Sequence, residues 1–171
     1  PFLLELQHDT QHTVNLGVLD GAQGVFVDKI ESRDFGVKLF SEIGKPFPLH
    51  CTSLGKTLLA FSSASTLEKV LELPLKAETE KTITDPDELR RELLRVVTQG
   101  YALDDEEITR GIMCVAAPIF DFDQQLLGAI SIAFPAYLKN DRGLEPEIEA
   151  IKKYAASISK SLGSRHTAAN S

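Results

Sequence analysis

The chain has 171 residues, and 25 acidic against 18 basic side chains give it a formal charge of −7 and a pI near 5.1. That length suits one domain burying roughly 70% of its unfolded surface without disulfide or metal staples, and an acidic balance with no Lys/Arg cluster argues against the chain itself gripping nucleic acid. Cys51 and Cys114 lie far apart without metal-ligand spacing, nothing at the N-terminus resembles a secretory signal, and no window reaches the ~18 apolar residues of a membrane span, so a soluble protein in a reducing, cytoplasmic setting is expected.

Phe2, Leu3 and Leu6 give residues 1 to about 12 the look of a helix tail that begins upstream. Val14, Leu16 and Val18 alternate with Asn15 and Gly17, which predicts a strand; Asp20-Gly21 supplies a hairpin turn, and Val25 to Ile30 a second strand. A third strand is expected in Val37 to Ile43, ended by Pro46-Phe47-Pro48. Thr52 caps a helix whose apolar stripe is Leu54, Leu58 and Phe61. Ser65 and Glu68 read as a capping box for a short helix that Pro74 stops. Asp85, Pro86 and Glu88 supply a cap, an N1 proline and an N3 acid for a helix with Leu89, Leu93 and Val96 on one stripe and Gly100 at its end. Tyr101 to Leu103 reads as a short strand, and the acidic run Asp104 to Glu107 as the turn after it. Glu145 to Leu162 carries Ile148, Ile151, Ala155, Ile158 and Leu162 at helical spacing, and residues 163–171 are expected to form a disordered tail.

Between these helices lies the most informative stretch. Gly111 to Phe120 and Leu126 to Phe134 are apolar runs, rich in β-favouring residues, on either side of Asp121-Phe122-Asp123-Gln124. With those four residues as the loop, Phe120 pairs with Gln125, Cys114 stands opposite Ser131 and Ile112 opposite Ala133, all four on one face. A thiol and a hydroxyl side by side under apolar cover suit the floor of a small-ligand pocket. Hairpins interrupted by a block of helices predict an α+β domain with a mainly antiparallel sheet.

Pro48-Leu49-His50, Gly55-Lys56, Thr82-Ile83, Gly100-Tyr101, Asp104 with Glu106-Glu107, and Gly111 followed by Cys114-Val115-Ala116-Ala117-Pro118 occur in order and with matching separations. Together they resemble the C-terminal effector-binding domain of the IclR (isocitrate lyase regulator) family of bacterial transcription regulators, from about Leu3 to Leu162. The resemblance implies a GAF-like fold, with residues 1–162 forming a domain that binds a small-molecule effector, needs no cofactor or metal and touches no membrane. It also implies a homodimer or homotetramer. DNA is contacted only through an N-terminal winged helix-turn-helix domain that these residues do not include, joined by a linker helix of which only the tail is present.

By the same resemblance the pocket is contributed by Ser53 and Leu54 at a helix start, by Asp104, and by Ile112, Cys114, Ser131 and Ala133 on the hairpin. Two parts have a physical rationale of their own. The Ser53 and Leu54 amides are orphan donors of a helix N-terminus, which favours a carboxylate there. The Ser131 hydroxyl suits a ligand carboxylate or keto oxygen, and Asp104 a ligand hydroxyl or a bound water. Ala133 stands where many relatives have a second serine, and Phe134-Pro135 where Gly-Pro is common, so one donor is lost and apolar surface gained. A short acid is the default effector, and Leu54, Ile112 and Ala133 would equally suit the ring of an aromatic acid.

Two rival functions remain open on sequence alone: a GAF-like enzyme using Cys114 as a redox or nucleophilic thiol, and a pure oligomerisation module. Cys114 with His50 can be imagined as nucleophile and base, and Asp104 with Glu107 as an acid–base couple. The thiol, however, sits in an apolar strand without an electropositive setting, and nothing supplies a nucleophile or an oxyanion hole for the two acids. His8 and His12 stand i, i+4 apart, a spacing open to zinc but read here as ordinary surface.

Overall fold

A computed structural model of the chain describes residues 1–32 and 39–165. In chain order the elements are α1 (Phe2–Thr10), β1 (Thr13–Asp20), β2 (Gln23–Ile30), β3 (Pro46–Phe47), α2 (Ser53–Ala60), α3 (Ala64–Leu71), α4 (Pro86–Gln99), β4 (Ala102–Asp105), β5 (Ile112–Phe120), β6 (Leu126–Pro135), α5 (Tyr137–Arg142) and α6 (Glu145–Ser161). The strands form one curled, wholly antiparallel sheet in the order β3-β2-β1-β6-β5-β4, with helices on both faces. The expected α+β class is therefore what the chain adopts.

Successive strand residues point to opposite faces, and here the two faces differ in side-chain size. Met113, Val115, Ala117 and Ile119 of β5, with Ile130, Ile132 and Phe134 of β6, pack against Ile151, Tyr154 and Ala155 of α6 and Leu6 of α1. On the other face Ala116 and Ala129 lie beneath Leu54, Leu58 and Leu59 of α2, with Leu89 and Leu93 of α4 behind them. Small residues let α2 sit close to the sheet.

The local signals explain the helix starts. Thr52 accepts from the Gly55 amide at 2.9 Å and Asp85 from the Glu88 amide at 2.8 Å. Gly100 ends α4 in the left-handed region at φ 80°. Several expectations shift. The cap of α3 is Ser63, not Ser65: its hydroxyl accepts from the Thr66 amide at 3.2 Å. Part of the strand expected in Val37 to Ile43 falls outside the described residues. The remainder, 39–43, is not strand, and the third strand is Pro46–Phe47, paired with Gly24 and Val25. Leu162 lies past the end of α6 and is exposed, and α5, six residues without an apolar stripe, left no periodic trace in the sequence. Most of the tail expected at 163–171 lies outside the described residues.

The hairpin register also moves. Phe120 pairs with Leu126, Cys114 with Ala133, Ala116 with Ser131 and Ile112 with Pro135. The Asp121 carboxylate accepts from the Asp123 and Gln125 amides, Gln124 turns left-handed at φ 63°, and the ladder is irregular at Ile119/Phe120; together these lengthen the loop and displace the pairing by two residues. A shift of two leaves every side chain on its expected face, because the period of a strand is two. Cys114 and Ser131 are diagonal rather than direct neighbours, and still share the α2 side.

The placement of α2 depends on Gly55. A Cβ there would lie 2.5 Å from Leu49 Cα and 2.6 Å from the Pro48 carbonyl oxygen, both backbone atoms that cannot swing aside. Gly55→Ala is expected to destabilise the chain by about 1–3 kcal/mol despite alanine's better helix propensity, read as a lower midpoint in urea unfolding.

Candidate functional site

Where α2 begins, the sheet's small residues leave a gap. Asp104, Cys114 and Ala133 follow one another across β4, β5 and β6 in register, and Ser131 continues sideways to Asn15 on β1. These residues floor a cavity of about 420 Å³, open mouth included, roofed by Thr52, Ser53 and Leu54 and walled by Phe26, Phe40, Phe47, Ile108 and Ile112. The structure brings together all seven positions singled out from sequence: Ser53, Leu54, Asp104, Ile112, Cys114, Ser131 and Ala133.

The roof is electropositive at the cavity. Thr52 takes up the Gly55 amide with its hydroxyl and the Lys56 amide with its carbonyl, so Ser53 and Leu54 are the first-turn donors that this cap does not use. Leu54 reaches across towards β1: a Cβ on Gly17 would lie 3.2 Å from its Cδ1 and 2.8 Å from the Phe47 ring. Gly17 is thus what lets these two side chains close the apolar wall.

Asp104 lies at the opposite side of the floor, 1% exposed, with Oδ1 accepting from the Glu107 amide at 2.7 Å. Burial pushes its carboxyl up to about 7, with the Glu107 charge adding to it, against the pull of the Glu107 and Ile108 amides and of Lys56. Its loop is fastened from three sides. Lys56, 1% exposed, donates from Nζ to Glu107 at 2.7 Å and to Glu92 of α4 at 3.0 Å, while the Thr82 and Thr79 hydroxyls donate to the Glu107 and Glu106 carbonyls at 2.6 and 2.7 Å. Although burial disfavours the Lys56 charge, the two carboxylates hold its ammonium above the usual lysine range. Asp104 and Glu107 are consequently not a free acid–base couple, since Glu107 is held by Lys56.

Neither thiol has the environment of a nucleophile. Burial, with Asp104 and Glu107 nearby, raises Cys114 well above the ordinary thiol range and pushes Cys51 up to about 12. The His50 ring bonds the Lys76 carbonyl at 2.8 Å rather than pairing with Cys114. The two N-terminal histidines part company as well. His8 is exposed, but His12 is buried and meets Glu147 of α6 at 3.0 Å, which corrects the expectation that both lie on the surface. Among the described residues no cluster of three or more His, Cys, Asp or Glu could hold a metal ion, and no helix is long and apolar enough to cross a membrane.

Sequence reasoning missed several lining residues. Phe26, Phe40 and Phe47 belong to segments read only as strand and loop. Asn15 entered the sequence reading only as a position alternating with Val14 and Leu16; β1 is central in the sheet with both faces covered, and Asn15 is 4% exposed. Its Oδ1, and the Oγ of Ser41 at 5% exposure, are buried without a hydrogen-bond partner among the described residues. Each such group costs about 1–3 kcal/mol while unpaired, an expense that a bound polar partner removes.

Comparison with known proteins places this geometry. Residues 1–160 match the family described as bacterial transcriptional regulator IclR, C-terminal. The HTH-type transcriptional regulator KdgR of Escherichia coli (strain K12) is 34% identical over 160 residues, covering 93% of this chain and 60% of that protein. The crystal structure of Thermotoga maritima IclR superposes with a TM-score of 0.88 at 36% identity, covering 95% of this chain and 66% of that one. An IclR homolog from Microbacterium hydrocarbonoxydans, crystallised with 4-hydroxybenzoate, gives a TM-score of 0.87 at 26% identity, covering 95% and 65%. The chain spans about 60% of the length of the curated relatives it matches.

Two outcomes follow from the charges. A folded-state carboxyl near 7, against about 4 for an ordinary aspartate, means the native chain binds the extra proton between those limits, so its stability falls as pH rises from about 4 to 7 and then levels. Asp104→Asn should match the wild type near pH 4 and exceed its melting temperature by a margin that widens up to pH 7. Lys56→Met, which strands the buried Glu107 carboxylate while Glu92 keeps Arg95, is expected to cost about 3–5 kcal/mol in urea unfolding, with part regained by adding Glu107→Gln.

Proposed function

This chain belongs to the IclR family of bacterial transcriptional regulators, as its C-terminal domain, and we propose that it senses a small carboxylic acid in the cavity beneath the start of α2. One observation carries the proposal: the unused amides of a helix N-terminus open into a largely apolar cavity whose other polar groups are buried. The effector's carboxylate takes the Ser53 and Leu54 amides, where the helix dipole favours it. Leu54, Ile112, Ala133 and Cys114 enclose its body, and Ser131 donates to a second oxygen. Asp104 is poised to be neutral below pH 7, when it donates a hydrogen bond, and anionic above it, when it repels the acid. The 4-hydroxybenzoate held by the Microbacterium homolog supports an aromatic acid as readily as a short one.

Residues 1–162 are the sensing domain of a longer regulator whose DNA-binding part lies N-terminal to them, joined through α1. The protein works in the cytoplasm as a homodimer or homotetramer, and occupancy repositions the DNA-binding parts by changing how the domains pack. Such a response requires the acid to bind one arrangement more tightly than the other. A thiol enzyme is the weaker reading, because both sulfhydryls are held protonated. A pure oligomerisation module leaves the buried polar atoms of the cavity without a purpose.

Calorimetric titration against a panel of short and aromatic carboxylates should yield at least one ligand whose affinity falls above pH 7, by up to tenfold per pH unit, with the fall abolished in Asp104→Asn. Ser131→Leu should weaken that ligand at least tenfold and, in the full regulator, abolish its effect on operator binding. A panel with no binder, or a Ser131→Leu regulator that responds normally, overturns the assignment.

A further inference from the structure

The carboxylate pole under α2 leaves two buried polar atoms of the cavity unaccounted for. Asn15 Oδ1 and Ser41 Oγ both line the cavity, both belong to residues at least nine-tenths buried, and neither has a hydrogen-bond partner among the described residues. Their placement is built rather than incidental. Asn15 pairs with Ser131 on one side and Lys29 on the other, so all three side chains share the cavity face. Lys29 donates from Nζ to the Ser41 carbonyl at 2.8 Å, which holds the Ser41 backbone beside Asn15, and its charge is met by Glu31 at 2.9 Å.

The length of the cavity floor follows from the sheet order. Asp104 is on β4 and Asn15 on β1, three strand steps apart, or about 14 Å between strand axes. The floor between them is Cys114, Ala133 and Ser131, and Phe26, Phe40, Phe47 and Ile112 close the sides. Asn15 and Ser41 line the same cavity as the α2 amides, within reach of the other polar group of a molecule whose acid lies at α2 and whose apolar body covers that floor.

We propose that Asn15 and Ser41 form a second recognition pole that reads a hydroxyl group at the end of the effector opposite its carboxylate. This rests on the carboxylate reading above and narrows the effector to the class of acids with a distal hydroxyl and an apolar middle. The chemistry of the pole selects the group. Asn15 Oδ1 only accepts, so it asks for a donor, whereas Ser41 Oγ both donates and accepts. A hydroxyl supplies both functions and suits either orientation of the Asn15 amide. A distal carboxylate would set two acceptors against each other, next to a lysine already engaged by Glu31. A distal methyl would leave both orphan atoms unpaired.

The test uses the 171-residue chain and two matched series in calorimetric titrations: benzoate, its para-hydroxy derivative and terephthalate; and hexanoate, its ω-hydroxy derivative and adipate. In at least one series the hydroxy acid should bind tenfold or more tightly than both its parent and its diacid. Asn15→Leu should reduce that ratio to about twofold or less while sparing the parent acid. Ser41→Ala, a change outside the sheet, should reduce it likewise and serves if Asn15→Leu fails to fold by circular dichroism. Parent acids that bind as tightly as their hydroxy partners, or a preference that survives the substitutions, overturn the second pole and leave the carboxylate pole standing. Absence of binding by all six overturns both.

Discussion

Five side chains on the α2-facing side of the β5–β6 hairpin, Cys114, Ala116, Ala129, Ser131 and Ala133, are too small to fill the space between the sheet and the helix above it. The other side of the same strands carries Met113, Val115, Ile119, Ile130, Ile132 and Phe134 and is filled solidly by α6 and α1. Because a strand presents its residues alternately, one hairpin can be a packed core on one face and the floor of a cavity on the other. Helix α2 closes on this floor only where Leu54 and Leu58 meet Ala116 and Ala129; beyond them, at its N-terminal end, the space stays open. The Phe47 ring against Gly17 seals the gap from the β1 side without filling it.

A cavity bounded this way needs a rigid frame, and buried charge supplies it. Exchanging a buried ion pair for apolar packing often costs nothing, so the Lys56 cluster is better understood as a positioning device than as a source of stability. Lys56 joins α2, the Asp104 loop and α4 through a single ammonium, and the Thr79 and Thr82 hydroxyls take two carbonyls of the same loop. The result fixes Asp104 relative to the α2 amides across the cavity. By contrast, Phe40 at the mouth is half-exposed and touches Phe26 edge-on, with ring centroids 5.7 Å apart. Entry of a ligand from that side disturbs one aromatic contact, whereas entry past Asp104 would break ion pairs.

How much of this was legible beforehand depended on the kind of signal. Local chemistry read true: Thr52, Asp85 and Gly100 act at the helix ends where their side chains and conformations suggest. The residues that line the cavity were also reachable, through the alternation of the hairpin and a family resemblance; a register error of two residues did no harm because faces repeat with period two. Asn15 was missed because alternation along β1 shows only that one face is polar. That this face is covered by α2 and the Leu39 to Ser41 segment is decided by distant parts of the chain. Lys56 and Glu107 were visible as letters of a motif, but 51 residues separate them and no local pattern announces a buried pair. Ser63 displaced Ser65 as a cap because both can accept from a following amide, and the choice between them is set by where α3 packs.

The alternation that makes the cavity also connects it to the packing of α1 and α6 on the opposite face. Ser131 and Ala133 face the cavity, while their immediate neighbours Ile132 and Phe134 face α6 and α1. Phe134 lies against the His12 ring with centroids 5.0 Å apart, and His12 in turn meets Glu147 of α6; two turns further along α6 the Tyr154 hydroxyl donates to Asp9 of α1 at 2.6 Å. A displacement of β6 by a ligand cannot be absorbed on the far side by soft packing, since Ile132 and Phe134 are fully buried among close-packed neighbours. The layer it would press on is shared by α1 and α6, whose Leu6, Ile151 and Tyr154 belong to the same core and which the Tyr154–Asp9 hydrogen bond also joins. The proposed junction to the DNA-binding part therefore stands one residue out of phase with the proposed ligand site, on the opposite face of the same strand.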